Sequence, residues 1–195
     1  MQLNVLRSQT IRAPLTVRPA EAADHAAILS VMAAANAEYR PLIPANTYDE
    51  YFRGLRELIT ARPHVRTAVA EQGRQIVGAV ALIADGDMAD VENPDRWASV
   101  RALAVDPAAR RRGIGQRLVG WCIGEARQHE APAICLHSAI FQITAHRLYE
   151  RLGFKRIPER DLDATTGCPD GGPTAGVPPL LAYWKMLGGL PIWRA

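Results

Sequence analysis

Cysteine is scarce and unpaired in this chain. Cys122, Cys135 and Cys168 are odd in number, widely spaced, and form no C-x-x-C pair. That pattern indicates neither a disulfide framework nor a zinc site, and no metal is expected. Cys122 and Cys135 sit in apolar runs and read as small buried hydrophobes, while Cys168 lies in a Gly/Pro stretch. Long apolar runs are missing too: without a stretch of about 18 such residues, no spanning helix is expected. The stretch Met1 to Pro14 has no apolar core and no cleavage pattern of a secretory signal. Together these absences predict a cytoplasmic protein with no membrane partner. Lysine is absent where positive charge is densest, for seven Arg and no Lys fall between Arg96 and Arg127. Asp95, Asp106 and Glu125 dilute them, and the net charge is only +3. With no aromatic interleaving and no recognition-helix pattern, this describes a local site for an anionic ligand and not a nucleic-acid face.

What is present suits one folded domain. The 195 residues are 48% hydrophobic and 22% charged, enough for a full core. Residues 1–14 read as a flexible extension and 15–195 as a single domain. Leu15 to Arg18 is a strand candidate ended by Pro19. Glu21 to Tyr39 reads as a helix, with Ile28, Met32, Ala35 and Tyr39 on one face. Pro41 and Pro44 break it. Thr47-Tyr48-Asp49-Glu50 has the form of a capping box, opening a helix that carries Tyr51, Leu55 and Leu58 inward. Val65 to Glu71 and Gln75 to Ala84 read as a hairpin with a turn at Gln72-Gly73. Asp85 to Arg96 is an acidic loop and Trp97 to Val105 a strand. A helix over Gln116 to Gln128, a strand over Ala133 to Ala139, and a helix over Ile143 to Leu152 closed by Gly153 follow. Phe154 to Ile157 and Leu180 to Leu187 are the last strand candidates, separated by the Gly/Pro loop Thr165 to Pro179. Helices alternating with strands around a hairpin imply a mixed, mostly antiparallel α/β (α+β) sheet of six to seven strands, with helices on both faces.

One junction is a candidate for binding an anion. Arg110-Arg111-Arg112-Gly113-Ile114-Gly115 stands between a strand and a helix. The first N–H groups of a helix have no partners within it, and the helix dipole adds about half a positive charge there. Such a junction reads either as a phosphate site or as an ordinary helix start behind a charged, solvated loop, and the local pattern does not choose between them. It matches neither familiar nucleotide loop: Leu118 stands where G-x-G-x-x-G needs glycine, and no Lys follows Gly113 or Gly115.

The stretch Val100 to Phe154 resembles the acetyl-CoA-binding core of the GNAT superfamily of N-acetyltransferases. Leu103-Ala104-Val105-Asp106-Pro107 ends the strand, and Arg110 to Gly115 fills the R/Q-x-x-G-x-G/A signature. Ala145-His146-Arg147-Leu148-Tyr149-Glu150-Arg151-Leu152-Gly153-Phe154 resembles the second signature, a helix ending in Leu/Phe-Tyr-x-x-x-Gly-Phe. The resemblance covers Leu15 to Leu187. It implies that the backbone of Leu103, Ala104 and Val105 meets the pantetheine arm in a gap between splayed strands. It places the pyrophosphate on the amides of Arg110, Arg111, Arg112, Gly113, Ile114, Gly115 and Gln116. Gln142 and Ala145 are implied as further cofactor contacts, and Tyr149 as the proton donor to the leaving thiolate. The implied reaction is direct acetyl transfer from acetyl-CoA to a primary amine of a small molecule or a protein.

Two positions depart from the resemblance. Ser99 stands where many relatives carry Glu, and serine is no general base unaided at neutral pH. His137, Glu92 and Asp95 are the substitutes. Gln142 replaces the usual Asn seven residues before Tyr149. The acceptor pocket is expected from Tyr39 to Tyr51 and the Thr165 to Pro179 loop, where Tyr39, Tyr48, Tyr51 and Phe52 form an aromatic group. A non-catalytic acyl-CoA sensor is the alternative to an enzyme, and a homodimer is left open.

Overall fold

Alternation of small and branched apolar residues in the strands lets one sheet carry a core on each face. The computed structural model describes residues 13–62, 64–84, 97–162 and 178–188. Residues 1–12, the whole of the acidic loop with Glu92 and Asp95, and the stretch containing Cys168 lie outside the described residues. The seven strands are β1 (Leu15–Pro19), β2 (Val65–Gln72), β3 (Gln75–Ile83), β4 (Ala98–Val105), β5 (Ala133–Ala139), β6 (Lys155–Arg156) and β7 (Leu180–Met186). Their order in the sheet is β1-β2-β3-β4-β5-β7-β6, and only the β4–β5 pair is parallel. The expected mixed, mostly antiparallel α/β architecture is therefore present.

Four helices cover the sheet: α1 (His25–Asn36), α2 (Ala45–Thr60), α3 (Ile114–Gln128) and α4 (Ile143–Arg151). Ala68, Ala70, Val80, Leu82 and Val100 bury on the face shared with Ile114, Leu118 and Cys122 of α3 and Tyr149 of α4. Val69, Ala79 and Ala81, offset by one residue, bury on the other face with Ile28 and Met32 of α1 and Leu55 of α2. Cys122 is buried as expected and Cys135 is half-buried. Gly78 lets α3 sit close to the sheet, because a Cβ there would stand 2.9 Å from Ile114 Cγ2.

Two expectations for the first helices change. The single helix over Glu21 to Tyr39 is α1 flanked by 3-10 turns at Ala22–Asp24 and Ala37–Leu42. Asp24 sets the first boundary: its carboxylate accepts from the Glu21 N–H at 2.8 Å and pairs with Arg18 at 2.7 Å. The capping box at Thr47 to Glu50 does not form. Pro44, with φ of −54°, stands at the N-cap and α2 starts at Ala45, inside which Thr47 is already helical. Tyr51 is 45% exposed, so the inward face of α2 is carried by Leu55 and Ile59.

Candidate active site

The site begins with a conformational fault in β4. Ala102 has φ of +52°, a left-handed conformation that costs a non-glycine residue about 1–2 kcal/mol. Against β3, the register runs from Ala81↔Arg101 to Ala79↔Ala104, so Ala102 and Leu103 together oppose the single residue Val80. Such a bulge bends the strand. On its other edge β4 pairs with β5 only at Ala98↔Ile134, Ser99↔Cys135 and Val100↔Leu136. Beyond Val100 and Leu136 the two strands part, although β4 continues to Val105 and β5 to Ala139. A gap of about 80 Å³ lies in the fork, walled by Ala102, Leu103, His137, Gln142, Ala145 and Tyr149.

Below the fork is the arginine–glycine loop. Asp106 accepts from the Ala108 N–H at 2.8 Å and starts a 3-10 turn, Pro107–Ala109. Arg111 (φ +63°) and Gly113 (φ +75°) are both left-handed, and Gly113 is the N-cap of α3. The first N–H to close on a carbonyl is that of Arg117, onto Gly113 at 3.0 Å. Among the described residues, no backbone N–H from Arg111 to Gln116 has an acceptor. That run of open donors at the positive end of a 15-residue helix forms a cradle that can hold an anion. The two glycines serve differently. Gly113 supplies the left-handed turn with nothing within 4 Å of a Cβ, whereas Gly115 lies against α4, where a Cβ would meet Leu148 Cδ2 at 3.0 Å.

The arginine side chains are mostly committed elsewhere. Arg110 donates to the carbonyls of Ala35 at 3.0 Å and Val105 at 3.4 Å, and pairs with Glu38 at 2.7 Å. Arg112 donates to Ala108 O at 2.9 Å and Gln72 Oε1 at 3.3 Å. Arg111 is exposed and makes no side-chain hydrogen bond or ion pair among the described residues.

Tyr149 stands on α4 at the fork, buried against the rings of Phe154 and Tyr183, each 5.9 Å away. Burial pushes its phenol well above the usual value, so the hydroxyl keeps its proton throughout the neutral range. Gln142 is the N-cap of α4. Its Oε1 accepts from Ser138 Oγ at 2.9 Å and the Ala139 N–H at 3.0 Å, which leaves its amide N–H groups for a ligand.

Ser99 lines neither cavity: it is buried on β4, opposite Cys135 of β5. His137 does face the fork. Its Nε2 lies 2.9 Å from the Arg160 carbonyl and must donate to it, which leaves a lone pair on Nδ1. Burial lowers its pKa below 6.5, with Arg101 adding to the effect, so the ring is neutral at pH 7.

A larger cavity of about 570 Å³ adjoins the gap, sharing with it Asn36, Tyr51, Arg101, Ala102, His137 and Gln142. Tyr39, Tyr48 and Tyr51 line it as expected, but Phe52 packs behind Tyr48 and Tyr51. Phe141, whose ring lies tilted against that of Tyr39 at 4.8 Å, lines it as well, with no local sequence signal for that place. Arg101, Thr47 and Glu50 are also in its wall. Arg101 carries no local sequence signal, and the spacing of Thr47 and Glu50 suggests a helix cap instead.

A family model for the acetyltransferase (GNAT) family matches residues 28–154, which span β3, the fork, the cradle and Tyr149. An IAA acetyltransferase from Azospirillum brasilense is 31% identical over 94 residues, 48% of this chain and 57% of that protein. An N-acetylaspartate synthetase from Danio rerio is 32% identical over 87 residues, 45% of this chain and 28% of that protein. The chain thus spans from about a quarter to somewhat over half of the lengths of these relatives. A Salmonella typhimurium structure containing acetyl-CoA as its cofactor shares the fold, with a TM-score of 0.62 at 18% identity, over 91% of this chain and 96% of that one. With the matched segment covering well over half of its length, the chain belongs to the GNAT family of acetyltransferases.

Proposed function

We propose that the chain binds acetyl-CoA across the fork and transfers the acetyl group to a primary amine. The observation that carries this reading is the parting of β4 from β5 after Val100 and Leu136, with Tyr149 beside the gap. Backbone groups of Leu103, Ala104 and Val105 bond to the pantetheine arm, with Gln142 and Ala145 flanking it. The open N–H groups of the cradle, through Ile114, Gly115 and Gln116, hold the pyrophosphate. In this assignment Arg111 is the arginine whose side chain meets the cofactor's phosphates, while Arg110 and Arg112 fix the loop.

Chemistry follows from the same placement. The neutral amine attacks the thioester carbon, forming the C–N bond, and unpaired backbone N–H groups of the splayed strand stabilise the oxyanion. His137 Nδ1 takes the proton released by the amine. The C–S bond then breaks and the Tyr149 hydroxyl protonates the leaving thiolate. This assigns to His137 the base role that Ser99 cannot fill.

Calorimetry with acetyl-CoA and a thiol-release assay over an amine panel test the reading. Binding at micromolar levels with amine-dependent thiol release supports it. Absence of binding overturns it, and binding without turnover of any amine favours the acyl-CoA sensor, a reading motivated by Ser99.

A further inference from the structure

Three side-chain atoms among the described residues are buried with no hydrogen-bond partner: Thr47 Oγ1, Glu50 Oε2 and Arg101 Nε. All three residues line the same cavity of about 570 Å³. Thr47 is only 8% exposed. Left unmatched, each such atom carries its full desolvation penalty, so their convergence on one cavity points to a ligand that satisfies them. Two of them became available because α2 starts at Pro44 and Ala45, which releases Thr47 and Glu50 from the capping box their spacing suggests.

The three atoms specify complementary chemistry. A guanidinium N–H only donates and therefore asks for an acceptor, best an anionic one. An ionised glutamate only accepts and asks for an N–H or O–H. No ion pair joins Glu50 to Arg101, so neither satisfies the other. Position orders them. Arg101 lines both the large cavity and the gap where Tyr149 stands, whereas Thr47 and Glu50 line only the large cavity. The surface around them mixes apolar and aromatic residues, Tyr39, Ile43, Tyr48, Leu58 and Phe141, with the charged Arg53, Glu57 and Arg62. A volume of this size suits a small molecule and not a folded partner.

Resting on the acetyl-transfer reading above, we propose that the acceptor is a free aromatic amino acid with a polar donor on its ring. Its carboxylate pairs with Arg101 at the mouth of the gap, which sets the amine on the adjacent carbon beside His137. Its ring lies among the aromatic residues, and its O–H or N–H meets Glu50 and Thr47. The amine nitrogen gains the acetyl group and loses one proton, and CoA leaves as the thiol.

The test is a thiol-release assay on the full chain with matched acceptors: tyrosine against tyramine for the carboxylate, and tyrosine against phenylalanine for the ring donor. In the wild type, kcat/KM for tyrosine should exceed that for each analogue by about tenfold or more. Arg101→Gln should bring the tyrosine/tyramine ratio to within about twofold, and Arg101→Lys should keep part of it. Glu50→Gln should shrink the tyrosine/phenylalanine ratio and leave the tyrosine/tyramine ratio in place. Ratios within one variant are insensitive to its cofactor affinity or folded fraction, and inert variants leave the wild-type ratios to decide. Tyramine or a tyrosyl peptide amine turned over as well as tyrosine overturns the acceptor class while leaving the transferase intact. Acetyl-CoA binding with no turnover of any acceptor overturns the transferase reading, and the acceptor class with it.

Discussion

The guanidinium of Arg110 donates to the carbonyl oxygen of Ala35 at 3.0 Å, tying the arginine–glycine loop to the last turns of α1. The most conspicuous charge in the sequence thus braces the loop from behind, and in the proposed assignment anion binding falls to backbone N–H groups and Arg111. Arg110→Ala should lower stability by about 1 kcal/mol, the scale of a net hydrogen bond at a partly exposed site. Thermal melting reads that as a Tm drop of about 2–4 °C for a domain of this size. Arg111→Ala should leave Tm unchanged and weaken acetyl-CoA binding a few-fold, with the loss shrinking as salt screens the charge. The opposite assignment, with stability moving for Arg111 and not for Arg110, would reject this division of labour.

Gly78 and Gly113 separate packing from conformation. An Ala at 78 puts its Cβ 2.9 Å from Ile114 Cγ2 and 3.2 Å from the Ala104 carbonyl, so α3 must back away from the sheet. Overpacking of that kind costs about 1–3 kcal/mol, which urea titration should resolve as a lower midpoint. At Gly113 a Cβ meets nothing within 4 Å, but φ is +75°. Gly113→Ala should cost about 1–2 kcal/mol of conformational strain and also weaken acetyl-CoA binding, because the turn aims the cradle's N–H groups. Calorimetry showing unchanged affinity for this variant would contradict the cradle.

For Tyr149, removing only the hydroxyl isolates the donor role. Tyr149→Phe keeps the ring against Phe154 and Tyr183, so cofactor affinity should hold while kcat falls on the order of 10²-fold. Burial raises the phenol above its usual pKa of 10, so the donor form persists at alkaline pH. The kcat ratio of wild type to variant should therefore stay constant from pH 7 to about 10. A ratio that collapses toward one before pH 10 would show that the hydroxyl is not the proton source.

How much was legible in the sequence follows from the range of each interaction. Signals contained in a few residues survived: Pro19 ends β1, Gly73 turns the hairpin at φ +67°, and Gly153 closes α4 at φ +81°. The open N–H groups at the start of α3 were readable because they belong to one helix end. The Thr47 capping pattern misled because Pro44, three residues upstream, sets the start of α2, and competition between caps is not visible in either motif alone. Arg101 and Phe141 gave no warning as cavity residues. They meet Thr47, Glu50 and Tyr39 only after β4, β5 and α2 converge, a relationship that no spacing encodes. The bulge at Ala102 was equally hidden, since alanine has no preference for positive φ and adopts it here under the constraint of β3 pairing.

His137 is the residue whose role pH exposes most directly. Its folded pKa lies below 6.5, so the lone pair on Nδ1 is available at neutral pH and is lost on further acidification. The acid side of the kcat/KM profile should therefore steepen by one unit of slope below that pKa, beyond the slope set by the amine acceptor itself. His137→Gln should lower kcat on the order of 10²-fold and lack the extra steepening. Stability carries the same sign. A histidine held neutral by burial binds its proton more weakly in the folded than in the unfolded chain. Its contribution is complete above about pH 6.5 and declines as pH falls toward the lowered folded value, because there the unfolded state binds more protons. Melting curves at pH 7.5 and 5.5 should accordingly converge more for His137→Gln than for the wild type. An unchanged acid limb in the variant would remove His137 as the base, and unchanged convergence would show that its proton affinity is not lowered in the folded chain.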